Sequence, residues 1–159
     1  MSPIVTTIEI ARPPAEVFAF VTDPSRFPEW QRDIVGVRIE GARPPGVGSR
    51  FTTTRRIGNT ERTMTQIQEI TEITAPRSWT ARGADGPIRA HGSVTVEPLD
   101  GGTRSRVRTS LDLEGHGILG RLLGIPLVPL VRRQVEKVGA ASYQNLKRLL
   151  ESGGDRMAR

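Results

Sequence analysis

The sequence predicts an α+β domain: a curved antiparallel sheet of about seven strands wrapped around a long C-terminal helix, with two short helices after strand 1. Three observations predict it. β-rich runs succeed one another from Val35 to Leu113, joined by turns too short for a crossover helix, so neighbouring strands must run antiparallel. Residues from Pro126 to Glu151 repeat apolar side chains at helical spacing. That helix is also the one element whose apolar stripe is long enough to cover a face of the sheet.

Ile4 to Ile10 is rich in β-branched residues and reads as the first strand. Arg12-Pro13-Pro14 ends it; proline suits a helix start, where its missing N–H would have no intrahelical partner. Ala15 to Val21 follows as a short helix, with Val17, Phe18 and Val21 at helical spacing. Thr22-Asp23-Pro24 opens a second short helix through Phe27 to Trp30. Val35, Val37 and Ile39 alternate with Gly36, Arg38 and Glu40 as a half-buried strand. A loop from Gly41 to Gly48 leads to the threonine-rich strand Phe51 to Ile57, and Gly58-Asn59 turns the chain into Arg62 to Ile73. There Ile67, Ile70 and Ile73 lie three apart; a β-bulge reconciles them with a strand, and a short helix is the competing reading. Ser78 to Arg82, Ile88 to Glu97 and Arg104 to Leu113 complete the sheet, separated by Asp85-Gly86-Pro87 and Asp100-Gly101-Gly102. In the last helix Leu127, Val131, Val135, Val138, Ser142, Leu146 and Leu149 form one stripe at about 100° per residue. Residues 1–152 read as one domain and residues 153–159 as a flexible tail.

Composition narrows function by exclusion. Without cysteine there is no disulfide, thiolate metal site or cysteine nucleophile. No stretch approaches the ~20 apolar residues of a membrane span. Met1 to Ile10 lacks a basic, then apolar, leader, so a cytoplasmic location is expected. The net charge of +6 could suggest nucleic acid, but the basic residues are scattered and nearly all arginine; a solvated basic surface is expected, and no nucleic-acid partner. The chain lacks a G-x-S-x-G elbow, a P-loop and H-E-x-x-H, and Gly46-Val47-Gly48 lacks the third glycine of a dinucleotide turn.

Several segments resemble a known family. They are Pro13-Pro14-Ala15-Glu16-Val17-Phe18, Asp23-Pro24 with Phe27-Pro28-Glu29-Trp30, and Pro45-Gly46-Val47-Gly48-Ser49-Arg50-Phe51. Glu72-Ile73-Thr74-Ala75-Pro76-Arg77, Gly101-Gly102-Thr103-Arg104 and the helix ending in Asn145-Leu146-Lys147 extend the likeness. Together they resemble the START-like helix-grip superfamily (SRPBCC), in its polyketide cyclase/dehydrase-like branch. The resemblance implies the helix-grip fold and a cavity between sheet and helix. It is weak on chemistry, because the superfamily spans carriers, sensors, lipid binders and a few cyclases.

Alternation selects the residues facing that space. They are Phe51, Thr53 and Arg55; Trp79 and Ala81; Ile88, Ala90, Val94 and Val96; and Val107, Thr109 and Leu111. Gln66 is a further polar candidate. The last segment offers Leu123, Val131, Gln134, Val135, Val138, Ser142 and Asn145, and Trp30 borders the mouth, as the resemblance implies. Arg55 is the sharpest candidate, able to pair with a ligand carboxylate, phenolate or ketone oxygen; a strand-end position reaching water is the alternative. Tyr143 lies roughly 120° from the stripe centre and is read as a helix-edge residue. Asp112, Glu114 and His116 share one strand face that could ligate a divalent ion. That face opposes Leu111 and Leu113, so the trio is solvated and no metal is expected; His91, in phase with Ser93 and Thr95, reads as a surface histidine.

The leading expectation is binding of a small hydrophobic or aromatic ligand, lipid-like or polyketide-like, without a cofactor. A polyketide cyclase, aromatase or dehydratase using the same cavity is the enzymatic alternative. A third reading is an interaction protein using the basic surface or an apolar patch. Residues 118–127 carry more apolar bulk than a solvent loop should and are candidates for a lid or a homodimer contact.

Overall fold

The computed structural model describes residues 3–157, without the side chains of residues 119–121, 123–128, 131 and 154–157. β1 (Ile4–Ile10) leads into α1 (Pro14–Val21) and, after a 3-10 turn at Pro24–Arg26, α2 (Phe27–Trp30). β2 (Ile34–Ile39), β3 (Arg50–Arg56), β4 (Thr63–Thr74), β5 (Ser78–Gly83), β6 (Ile88–Leu99) and β7 (Arg104–Gly115) follow, then α3 (Gly117–Met157). The seven strands form one antiparallel sheet in the order β1-β7-β6-β5-β4-β3-β2. Consecutive hairpins thus run from β2 to β7, and β1 closes on β7.

A register shift between Ile70 and Glu72 reconciles two of the three isoleucines of β4, whereas Ile67, between the inward Gln66 and Gln68, lies on the opposite face. Ile70 then pairs with Ala81 and Ile73 with Trp79, so both face the helix side although three residues apart. An extra residue in one strand resets which positions point inward.

α3 begins at Gly117, nine residues before the expected start at Pro126. Proline is favoured in a first turn, which suggested that start, whereas interior glycines weaken a helix by only about 1 kcal/mol each and do not stop it. The buried stripe is also turned. Ser142, Leu146 and Leu150 are buried, Val135, Val138 and Gly139 half-buried, and Leu149 is exposed. At 100° per residue this stripe is rotated by about 50° from the predicted one, towards Tyr143.

The C-terminal half of α3 is latched to β1. Arg12 donates from Nε to the Leu150 carbonyl (3.0 Å) and from Nη2 to the Glu151 carbonyl (2.8 Å). Lys147 Nζ donates to the Glu9 carbonyl (2.7 Å), and the Ser105 hydroxyl holds the Arg12 carbonyl (2.7 Å). Leu146 and Leu150 pack into the core with Ile10, Val17, Val21 and Val107.

Candidate ligand-binding site

The concave face follows from strand pairing, since directly paired residues point the same way. Thr53 pairs with Gln66, Phe51 with Gln68, and Ile70 with Ala81. Ala81 pairs onward with Gly92, and Gly92 with Leu111; Trp79 pairs with Val94, and Val94 with Thr109. The predicted inward positions on β3, β5, β6 and β7 therefore share one surface. Phe51, Thr53, Trp79, Ala81, Val94 and Thr109 are buried there; Arg55, Gln66, Ile88, Ala90 and Leu111 are half-buried.

One end of this surface is an aromatic wall. The Phe27 ring meets Trp30 (5.9 Å between centroids), Phe51 (5.9 Å) and Trp79 (6.2 Å) edge-on, the geometry that aligns ring edges with π faces. Trp30 continues onto Tyr143 of α3 at 5.7 Å. Tyr143 thus faces inward, which corrects its expected place at the helix edge: the 120° offset was measured from a stripe centre that the fold rotates. Burial raises the pKa of its hydroxyl above the usual tyrosine value; a hydrogen bond with Thr109 and the Arg55 charge act in the opposite direction.

Arg55 reaches this group from β3, but its guanidinium is engaged by the protein. It donates to Asp33 Oδ2 (2.7 Å) and to Gln31 Oε1 (3.0 Å) just beyond α2. A ligand oxygen would have to share this cation with Asp33. Two buried polar atoms beside the wall meet no hydrogen-bond partner: Trp30 Nε1 and Thr53 Oγ1. Such groups cost about 1–3 kcal/mol when unpaired, so a polar ligand atom or water here would be favoured.

The middle of the concave face is a floor of small residues, Ala81, Ala90 and Gly92. A Cβ built on Gly92 would meet no heavy atom within 4 Å. Alternation alone would have found Gly92, which lies in phase with Ala90 and Val94, had a missing side chain been counted as space. On α3, Ser142 is buried and Val135 and Val138 are half-buried. Gln134 is exposed and lies outside the wall it was expected to form, because of the same helix rotation, whereas Asn145 is half-buried and its Oδ1 accepts from Arg148 (2.6 Å). Leu123 and Val131, also expected here, lie outside the described side chains. A recess of about 10 Å³ beside Gln66, Gln68, Gly83 and Ala90 has room for roughly one water. A 310 Å³ depression along Gln144, Lys147, Arg148 and Glu151 is on the outer face of α3, away from the aromatic wall.

Residues 1–151 match the family described as polyketide cyclase / dehydrase and lipid transport. No curated protein matches the chain. Solved structures share its fold. TTHA0849 from Thermus thermophilus is similar with a TM-score of 0.75 at 15% identity, over 95% of this chain and 98% of that one. The di-domain ARO/CYC BexL of the BE-7585A biosynthetic pathway is similar at 0.70 and 16% identity, over 93% of this chain and 46% of that one. Ara h 8.0201 is similar at 0.67 and 18% identity, over 94% and 99%. Among the described residues no helix is long and apolar enough to cross a membrane.

Proposed function

We propose, for a chain that belongs to the polyketide cyclase / dehydrase and lipid transport family, that it binds a small hydrophobic or aromatic molecule between the sheet and α3. The observation that carries this reading is the floor at Gly92, where open space meets apolar walls and a few placed polar atoms. A flat ring system lying on Ala81, Ala90 and Gly92 would have Trp79 and the Trp30–Tyr143 pair at one end. Its polar edge would meet Trp30 Nε1 and Thr53 Oγ1, which otherwise lack partners. Native mass spectrometry of protein purified from its own host should show a retained ligand. Trp30 and Trp79 are the only tryptophans, so their fluorescence should report binding of polycyclic aromatic or acyl compounds. No retained mass and no quenching across such a panel would defeat this reading.

A cyclase or dehydratase is the second reading, favoured by Tyr143. Held protonated by burial within range of Arg55, its hydroxyl can donate to a carbonyl oxygen as negative charge builds there. The BexL likeness points the same way at the level of fold. Turnover of a poly-β-ketone by the wild type, with kcat lost in Tyr143→Phe while binding persists, would select this reading over a carrier.

A further inference from the structure

On the opposite, convex face, β6 and β7 bring together residues that the concave site does not use. His91 pairs with Asp112, which puts Glu114 diagonally across from it, on the same side of the sheet. His116 lies two residues beyond Glu114, and its backbone N–H bonds the Pro87 carbonyl (2.7 Å). His91 Nε2 lies 3.1 Å and His116 Nε2 3.5 Å from the same oxygen, Glu114 Oε2. One ligand atom from each of the three residues falls within 4.8 Å of the other two. The register replaces Asp112 by His91 in the trio that β7 alone suggested.

We propose that His91, Glu114 and His116 form a binding site for one divalent ion of the zinc class. Zinc held at about 2.1 Å by nitrogen and oxygen places its ligands about 3.4 Å apart. Two of the edges already have that length, and the third must shorten by no more than about 1.4 Å. His116 Nε2 is shielded from water and, beyond its 3.5 Å approach to Glu114, makes no hydrogen bond, so an ion would give it a direct partner. Two imidazoles with one carboxylate suit zinc, nickel or copper, whereas calcium and magnesium require oxygen ligands. Asp112 adds a second negative charge on this face. Arg82, paired with His91, and Arg89, paired with Glu114, are its positive neighbours, and Arg89 Nε is turned to the Gly86 carbonyl (3.2 Å). Three protein ligands leave one corner for water. The ion would join β6, β7 and the residue before Gly117, fastening the root of α3.

The test uses the full, untagged chain stripped with chelator and titrated calorimetrically with zinc chloride, then with calcium and magnesium chloride. Saturable binding of one zinc per chain is expected, with no response to calcium or magnesium. His91→Gln and His116→Gln should each weaken zinc at least tenfold, and the double variant should lose it while melting like wild type in chelator. These are the only histidines, and there is no cysteine, so no other imidazole or thiolate can supply the signal. If a histidine variant does not fold, Glu114→Gln gives the same readout. Zinc should also raise the melting temperature of the wild type alone. No one-to-one zinc binding by the wild type, or binding indifferent to these substitutions, would overturn the proposal.

Discussion

The two halves of α3 are held under different conditions. From Ser142 to Glu151 the helix is clamped, with Leu146 fully buried and Arg12, Lys147 and Glu151 bonding it to β1 and the turn after it. From Gly117 to Leu130 every described side chain is exposed, including Ile118 (82%), Leu122 (66%) and Leu130 (65%). The first half provides stability, and the second presents apolar surface that the described fold does not cover. Substitutions should therefore separate folding from binding along a single helix.

The contrast breaks most visibly at Leu146. Leu146→Ala leaves a cavity in a closed core and should cost about 2–5 kcal/mol in urea unfolding. Leu130→Ala should change stability by less than about 0.5 kcal/mol; equal losses at both positions would mean that the halves are not distinct. Next in size is the latch. Arg12→Ala removes two hydrogen bonds from a charged donor to the Leu150 and Glu151 carbonyls and should cost about 1.5–3 kcal/mol. Gly92→Val sharpens the comparison from the other side. Its added atoms begin in open space and stiffen a strand, so stability should rise by about 0.5–1 kcal/mol while affinity for an aromatic ligand falls.

The smallest effect lies at alkaline pH. Burial raises the Tyr143 pKa above its ordinary 10.0, so the folded state keeps a proton that the unfolded state releases. The associated stability is complete below about pH 10 and is lost as pH rises through the higher folded value. Stability should thus fall more steeply above pH 10 in the wild type than in Tyr143→Phe. As this is the only tyrosine, its ultraviolet titration should be displaced to higher pH in the folded protein and return to normal in urea.

The antiparallel succession from β2 to β7 and most inward faces were legible because alternation survives along most of each strand, and a bulge announced itself in the spacing of Ile70 and Ile73, whereas the place of β1 beside β7 was not legible. Nor was the rotation of α3. Leu149 and Leu150 are interchangeable in composition, and it is distant contacts such as Trp30–Tyr143, Lys147–Glu9 and the Arg12 latch that go with Leu150 being the buried one. Asp33 was equally hidden as the partner of Arg55, because their pairing joins the segment after α2 to β3 across 22 positions of sequence. At the candidate metal site, parity placed each residue on the right face, but only the β6–β7 register could bring His91 to Glu114.

The pairing of β1 with β7 also sets an order of events during synthesis. β2 to β7 can zip hairpin by hairpin as the chain emerges, each strand meeting one made just before it. β1, made first, has to wait for a partner roughly a hundred residues later, and Arg12 for carbonyls 138 and 139 positions away. Such distant closures carry the largest entropic cost and slow folding. The nascent chain therefore leaves β1 unpaired until β7 (Arg104–Gly115) has been made, and Arg12 without its latch until residue 151.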